Sequence, residues 1–173
     1  MTEVLFTPWR LAYLTGGADA LPKDGCLFCV LPAASDEDAL IAYRGATAYV
    51  VLNRFPYTNG HVMITPYAHR ASLGAMTPEE RAELVELAAV CEDVLREAYR
   101  PHGFNLGVNL GKSAGAGVAD HVHLHVVPRW DGDTNFLTVL GGTRTVPEEL
   151  PVTRVRLAGL FAARGAGAGG GGA

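Results

Sequence analysis

No apolar run in this chain approaches the ~20 residues that a bilayer-spanning helix requires. Nor does the N-terminal stretch pair a basic segment with an apolar core, the pattern of an export signal. A cytoplasmic protein with no membrane partner is the expectation. Positive charge is also in short supply: 14 Lys and Arg stand against 18 Asp and Glu, giving a net charge of −4 and a pI near 5.8. That balance argues against the basic face with which proteins hold nucleic acid in general, so any nucleotide must be gripped by a local site. Cysteine is scarce, and three of them cannot build a disulfide framework. Internal repeats are absent. At 173 residues with 49% hydrophobic content, the chain suffices for one domain with a real core and is short for two.

What is present is a succession of short β patterns interrupted by helix signals. Leu5 to Arg10 has too little periodicity to assign, and Gly16 to Gly25 is rich in Gly, Asp and Pro; together they read as a packed N-terminal arm and a loop. Leu40 to Arg44, Thr47 to Asn53 and His61 to Thr65 read as strands, with turn chemistry from Pro56 to Gly60 between the last two. Thr77-Pro78-Glu79-Glu80 is a capping box with proline at the first helical position. The apolar 3.6 period then runs to about Tyr99, with Cys91 as a small hydrophobe on its stripe, until Pro101-His102-Gly103 ends it. Asn105 to Leu110 and His121 to Pro128 are further strands, separated by the flexible loop Gly111 to Gly117. A second helix is expected from Pro151 to Ala163, then a disordered Gly/Ala tail over 165–173. The result is an α+β fold: a single domain over 1–164 with a mostly antiparallel sheet of about five strands, one long helix and a C-terminal helix. A doubly wound fold needs more helices than this.

The run His121-Val122-His123-Leu124-His125-Val126-Val127-Pro128 carries the chemistry. Side chains in a strand repeat with period two, so the three histidines share one face while Val122, Leu124 and Val126 share the other. Imidazoles crowded this way suppress one another's protonation and pack less well than β-branched residues, which makes them expensive as decoration. A metal triad is one explanation. The other is phosphate chemistry, favoured by a preceding loop of Gly and small residues that lets backbone N–H groups approach an anion closely.

The triad pattern, the Gly-rich loop before it and the Gly60-His61 pair upstream resemble the histidine triad superfamily over about Cys26 to Trp130. The fuller run from Asn109 through Gly115, then His121 to Phe136, is similar to the bacterial diadenosine tetraphosphate phosphorylase branch, as are Pro8-Trp9-Arg10 and Tyr99 to Asn105. The resemblance implies the nucleotidyl-transfer chemistry of an enzyme in which the central histidine, here His123, attacks the α-phosphorus of a nucleoside phosphate or dinucleoside polyphosphate. Inorganic phosphate or water then accepts the nucleotidyl group. It assigns His125 to the phosphate oxygens and His61 to orienting the nucleophile. Asn53 matches a ribose contact and Asn109 a position beside the phosphates, against the alternative of asparagines serving local backbone turns. Gly115 and Gly117 lie in the phosphate loop, and Trp130 either closes the pocket or packs. One departure stands out: many members of that family carry Ser or Thr just before the triad strand, whereas this chain has Ala116, Gly117 and Val118, leaving the loop's backbone N–H groups alone, or Ser113 or Lys112, as replacements.

The same resemblance implies a structural zinc held by Cys26, Cys29, His69 and His121, a set that suits a closed tetrahedral site. The alternative is a cysteine pair packed as small hydrophobes. Homo-oligomers, dimers at least, are also implied. Two classes of function stay open on the residues alone: a nucleotidyl transferase or hydrolase, and a zinc-stabilised nucleotide-binding module without turnover.

Overall fold

The computed structural model describes residues 25–134, 140 and 145–168. The expected N-terminal arm, most of the loop from Gly16 and the tail over 169–173 lie outside the described residues. Two short helices open the described chain, α1 (Leu27–Val30) and α2 (Asp36–Ala39), the latter capped by the Ser35 hydroxyl. Five strands follow: β1 (Ile41–Arg44), β2 (Ala48–Leu52), β3 (Val62–Pro66), β4 (Gly103–Val108) and β5 (Leu124–Arg129). Between β3 and β4 runs the long helix α3 (Pro78–Tyr99), and α4 (Leu150–Ala168) closes the description.

The strands form one sheet in the order β1-β2-β3-β5-β4, every neighbouring pair antiparallel. Because β3 and β4 both pair with β5, they run parallel to each other, which is why the connection between them needs a crossover as long as α3. The expected α+β architecture is the one observed. No helix among the described residues is long and apolar enough to cross a membrane.

Alternation decides what each face does. Val50, Leu52, Val62, Ile64, Val122 and Val126 pack with Leu84, Cys91, Val94 and Leu95 of α3 and with Leu157 and Phe161 of α4. Tyr49, Val51 and Met63 point the other way and are covered by Phe28, Ala39 and Ile41. β2 and β3 are therefore buried on both faces, and the histidines of the β5 run emerge on the face opposite the long helices.

Strand ends depart from the pattern reading for hydrogen-bonding reasons. The expected strand from His121 begins instead at Leu124, because Val122 N–H donates to the Arg70 carbonyl (2.6 Å) and Val122 O accepts from Thr65 Oγ1 (3.1 Å) rather than joining the ladder. β4 is displaced from Asn105–Leu110 to Gly103–Val108, since its pairing with β5 runs from Gly103 opposite Arg129 to Val108 opposite Leu124. The helix expected to stop at Ala163 continues to Ala168. The loop expected after β4 is present and contains a 3-10 turn, Lys112–Ala114.

Candidate active site

His61 occupies the first position after the tight turn that closes at Gly60. Gly60 has φ +74°, and a Cβ there would lie 3.0 Å from Leu95 Cδ2 and 3.1 Å from Tyr99 Cε2, so both the backbone and the space demand glycine. The turn is held by Asn53 N–H to the His61 carbonyl (3.1 Å) and by Thr58 Oγ1 to the Pro128 carbonyl (2.8 Å). His61 is thereby brought beside β5 at 1% exposure.

The hydrogen bonds assign each tautomer. Tyr57 N–H donates to His61 Nδ1 (3.1 Å), and the Asn53 amide lies 3.4 Å from the same atom. His61 therefore carries its proton on Nε2, which donates to His125 Nδ1 (3.0 Å), and His125 is left with an Nε2–H free to donate outward. At His123 the Nδ1–H donates to the His121 carbonyl (2.9 Å), so its Nε2 bears the lone pair. The His123 and His125 rings stand 4.9 Å apart at 72°.

Burial keeps all of these rings neutral. It pushes His61 down to about 3, assisted by His125 and His123, and His125 down to about 4, assisted by His123. His123 is also lowered by burial, partly opposed by its bond to the His121 carbonyl. The set is a neutral imidazole with a lone pair on Nε2 beside an imidazole N–H donor, a pairing chemically suited to attack on phosphorus and to stabilising charge that develops on its oxygens.

A cleft of about 740 Å³ opens beside His125 along the odd-numbered face of β5. Asn105, Asn109, Arg129 and Trp130 line it, together with Tyr57, whose ring stacks on His125 at 5.9 Å. Asn109 and Trp130 thus share one cleft with His125. Asn53, Gly115 and Gly117 lie outside the cleft lining, as do His61 and His123, which is 4% exposed. Asn53 Oδ1 accepts from Phe55 N–H (2.9 Å), so this residue both closes a local turn and braces His61. Gly115 has φ +86°, and nothing lies within 4 Å of a Cβ at either Gly115 or Gly117, which leaves the loop backbone open to approach. Arg129, undistinguished by any motif logic, is clamped by Asp133 (2.5 and 2.8 Å) and donates to Asn105 Oδ1 (2.6 Å). The period-two spacing from His125 could have found it.

Cys26, Cys29, His69 and His121 converge beside the triad, each offering one donor atom, all within 4.8 Å of one another. His121 Nε2–H donates to the Pro66 carbonyl (2.9 Å), which turns its Nδ1 lone pair toward Cys26 Sγ (3.2 Å) and Cys29 Sγ (3.5 Å). Cys29 Sγ is 3.3 Å from His69 Nδ1. Ligands of a tetrahedral zinc at Zn–S ~2.3 Å and Zn–N ~2.0 Å stand roughly 3.5 Å apart, and the three thiol–imidazole separations of 3.2, 3.3 and 3.5 Å match that spacing within a set that spans up to 4.8 Å. The backbone carbonyl orienting His121 is the kind of outer partner that metal-bound histidines have.

The antiparallel sheet, the alternating histidines and their upstream partner define a histidine-triad protein, and residues 34–132 match the HIT domain family. The chain belongs to that family. It is 43% identical over 161 residues to the AP-4-A phosphorylase of Mycobacterium tuberculosis, covering 89% of this chain and 82% of that one. It is 28% identical over 111 residues to the adenylylsulfatase HINT3 of Arabidopsis thaliana, covering 64% of this chain and 55% of the relative. Among solved structures, a Zn-bound histidine triad family protein from Mycobacterium smegmatis superposes with a TM-score of 0.67 at 27% identity, covering 83% and 97% of the two chains.

Proposed function

We propose that this chain is a nucleotidyl-transfer enzyme that cleaves dinucleoside polyphosphates, diadenosine tetraphosphate foremost, with inorganic phosphate as acceptor. The observation that carries the reading is the His123 Nε2 lone pair beside the outward Nε2–H of His125. His123 Nε2 attacks the α-phosphorus, a P–N bond forms, and the P–O bond to the departing nucleoside polyphosphate breaks. A phosphate oxygen then attacks the same phosphorus and the P–N bond breaks, returning the lone pair to His123. His125 donates to the non-bridging oxygens, and His61 holds His125 in the donating tautomer. Asn109 and Trp130 meet the substrate in the cleft, Asn53 the ribose, and the backbone around Gly115 and Gly117 the phosphates, in place of the missing Ser or Thr.

The Cys26, Cys29, His69 and His121 set holds a structural zinc, a reading supported by its donor spacing and by the tautomer of His121. The working unit is a cytoplasmic homo-oligomer of a single domain, which takes in α4 as far as Ala168 rather than ending at 164. Support for association comes from β4, a sheet edge whose Leu106 is 44% exposed. A monomeric mass by light scattering at micromolar protein would overturn that part. The test of the activity is incubation with diadenosine tetraphosphate, with and without phosphate. ADP and ATP formed only with phosphate is the expected result. AMP formed without it makes the chain a hydrolase, the second reading that the likeness to an adenylylsulfatase favours, and no turnover makes it a binding module.

A further inference from the structure

We propose that Phe28 is a positioning residue for His123, carried to it on the Cys26–Cys29 turn; the inference rests on the reading of His123 as nucleophile. A single hydrogen bond from Nδ1 to the His121 carbonyl fixes one atom of the His123 ring and leaves the ring free to swing about it. Two rings close that freedom. His125 stands against His123 at 4.9 Å, and Phe28 at 4.8 Å with the planes 43° apart. Phe28 also meets the edge of His121 at 5.5 Å, so one phenyl ring spans the nucleophile and the residue whose carbonyl orients it.

Phe28 is itself tightly held. It is 1% exposed among Ile41, Tyr49, Val51 and Met63, and its carbonyl accepts from the buried Tyr49 hydroxyl (2.7 Å). Cys26 caps the helical turn that bears it, and Cys29 N–H bonds back to the Cys26 carbonyl (3.1 Å). Both flanking thiols face His121, so the segment that reaches the metal-ligating set also presses its aromatic residue on the nucleophile. A ring in the core needs only volume, which leucine largely supplies. A ring that restrains His123 needs a flat face, which leucine lacks.

Substrate contacts through His125 and the cleft do not involve Phe28. Phe28→Leu is therefore expected to lower kcat roughly ten- to a hundredfold, the scale of a misaligned nucleophile, with KM within about twofold. Phe28→Tyr, which keeps the ring, should recover kcat to within about threefold of the native chain. Long-range 1H–15N correlations of the imidazoles should change His123 from one Nδ1–H tautomer to a mixture in Phe28→Leu, at unchanged metal content. Tyr49→Phe, which removes only the anchor on the Phe28 carbonyl, should lower kcat about threefold at constant KM and keeps the test available should the leucine variant not fold. Native kcat in both Phe28→Leu and Tyr49→Phe, or a loss of kcat matched by loss of metal, overturns the proposal. His123→Ala run in parallel separates the two readings: if it retains turnover, the nucleophile assignment itself fails, whatever Phe28 does.

Discussion

Burial, more than any single partner, sets the chemistry of the individual histidines. An imidazole with an ordinary value of 6.5 sits at about 3 when it is His61, because the turn closing at Gly60 seals it from water. The consequence for stability has a definite sign. The unfolded chain takes up a proton near pH 6.5 that folded His61 refuses, so the contribution is present in full above 6.5 and is lost as pH falls toward 3. The urea midpoint should therefore drop between about pH 7.5 and about pH 5, and His61→Gln should flatten that drop. Identical slopes in the two proteins would contradict the assignment. His125 has a different dependence on its neighbours: its proposed work is to donate to developing charge, which backbone N–H groups of the preceding loop can partly replace. His125→Ala should leave measurable turnover, with kcat down roughly a hundred- to a thousandfold, against loss of turnover in His123→Ala with nucleotide binding retained. Steady-state rates and equilibrium titration of the two variants read that ordering.

At the scale of elements, the structure depends on side chains that bind backbone. Thr77 and Glu80 close the capping box at the start of α3, and Arg70 pairs with Glu80 while its carbonyl accepts from Val122. One turn later Glu83 accepts from Ala46 N–H (2.6 Å) and from the backbone and hydroxyl of Thr47, tying α3 to the β1–β2 turn. Removing that carboxylate leaves the turn donors without their acceptor. Glu83→Ala should cost about 1–3 kcal/mol in denaturant unfolding with kcat unchanged, and a cost near zero would show that water replaces it freely. The capping box and the alternation from His121 to Val126 were legible because each obeys a local rule. The start of β5 was not, since it is set by Arg70, a residue far away in the chain. Phe28 was invisible for a related reason: its position between two candidate ligands marks it, but only the folded turn brings its ring to His123.

In the whole molecule, one sheet separates two tasks. The long helices cover one face, and the opposite face carries the histidines, the thiols and the cleft. The zinc reading makes the Cys26, Cys29, His69 and His121 set a clip between the first described turn and the strands behind it. Purified protein should hold close to one zinc per chain, and chelation should lower the melting temperature; no zinc by elemental analysis, with Cys26→Ser as stable as the native chain, would end that reading. The triad could be read from its strict alternation, whereas the ligand set, which joins Cys26 and Cys29 to the distant His69 and His121, came only with the family resemblance. The cleft could not, because it is assembled by Asn105, Arg129 and Trp130 together with Tyr57 from another part of the chain.

On the proposed mechanism His123 becomes covalently nucleotidylated. The measurement that decides this is mass-spectrometric mapping of protein mixed with diadenosine tetraphosphate in the absence of phosphate and quenched in alkali, because phosphohistidine-type bonds are acid-labile. An adenylyl adduct on the peptide bearing His123, absent from His123→Ala, is the predicted result. An adduct on any other residue, or near-normal turnover by His123→Ala, would contradict the account even with the fold intact.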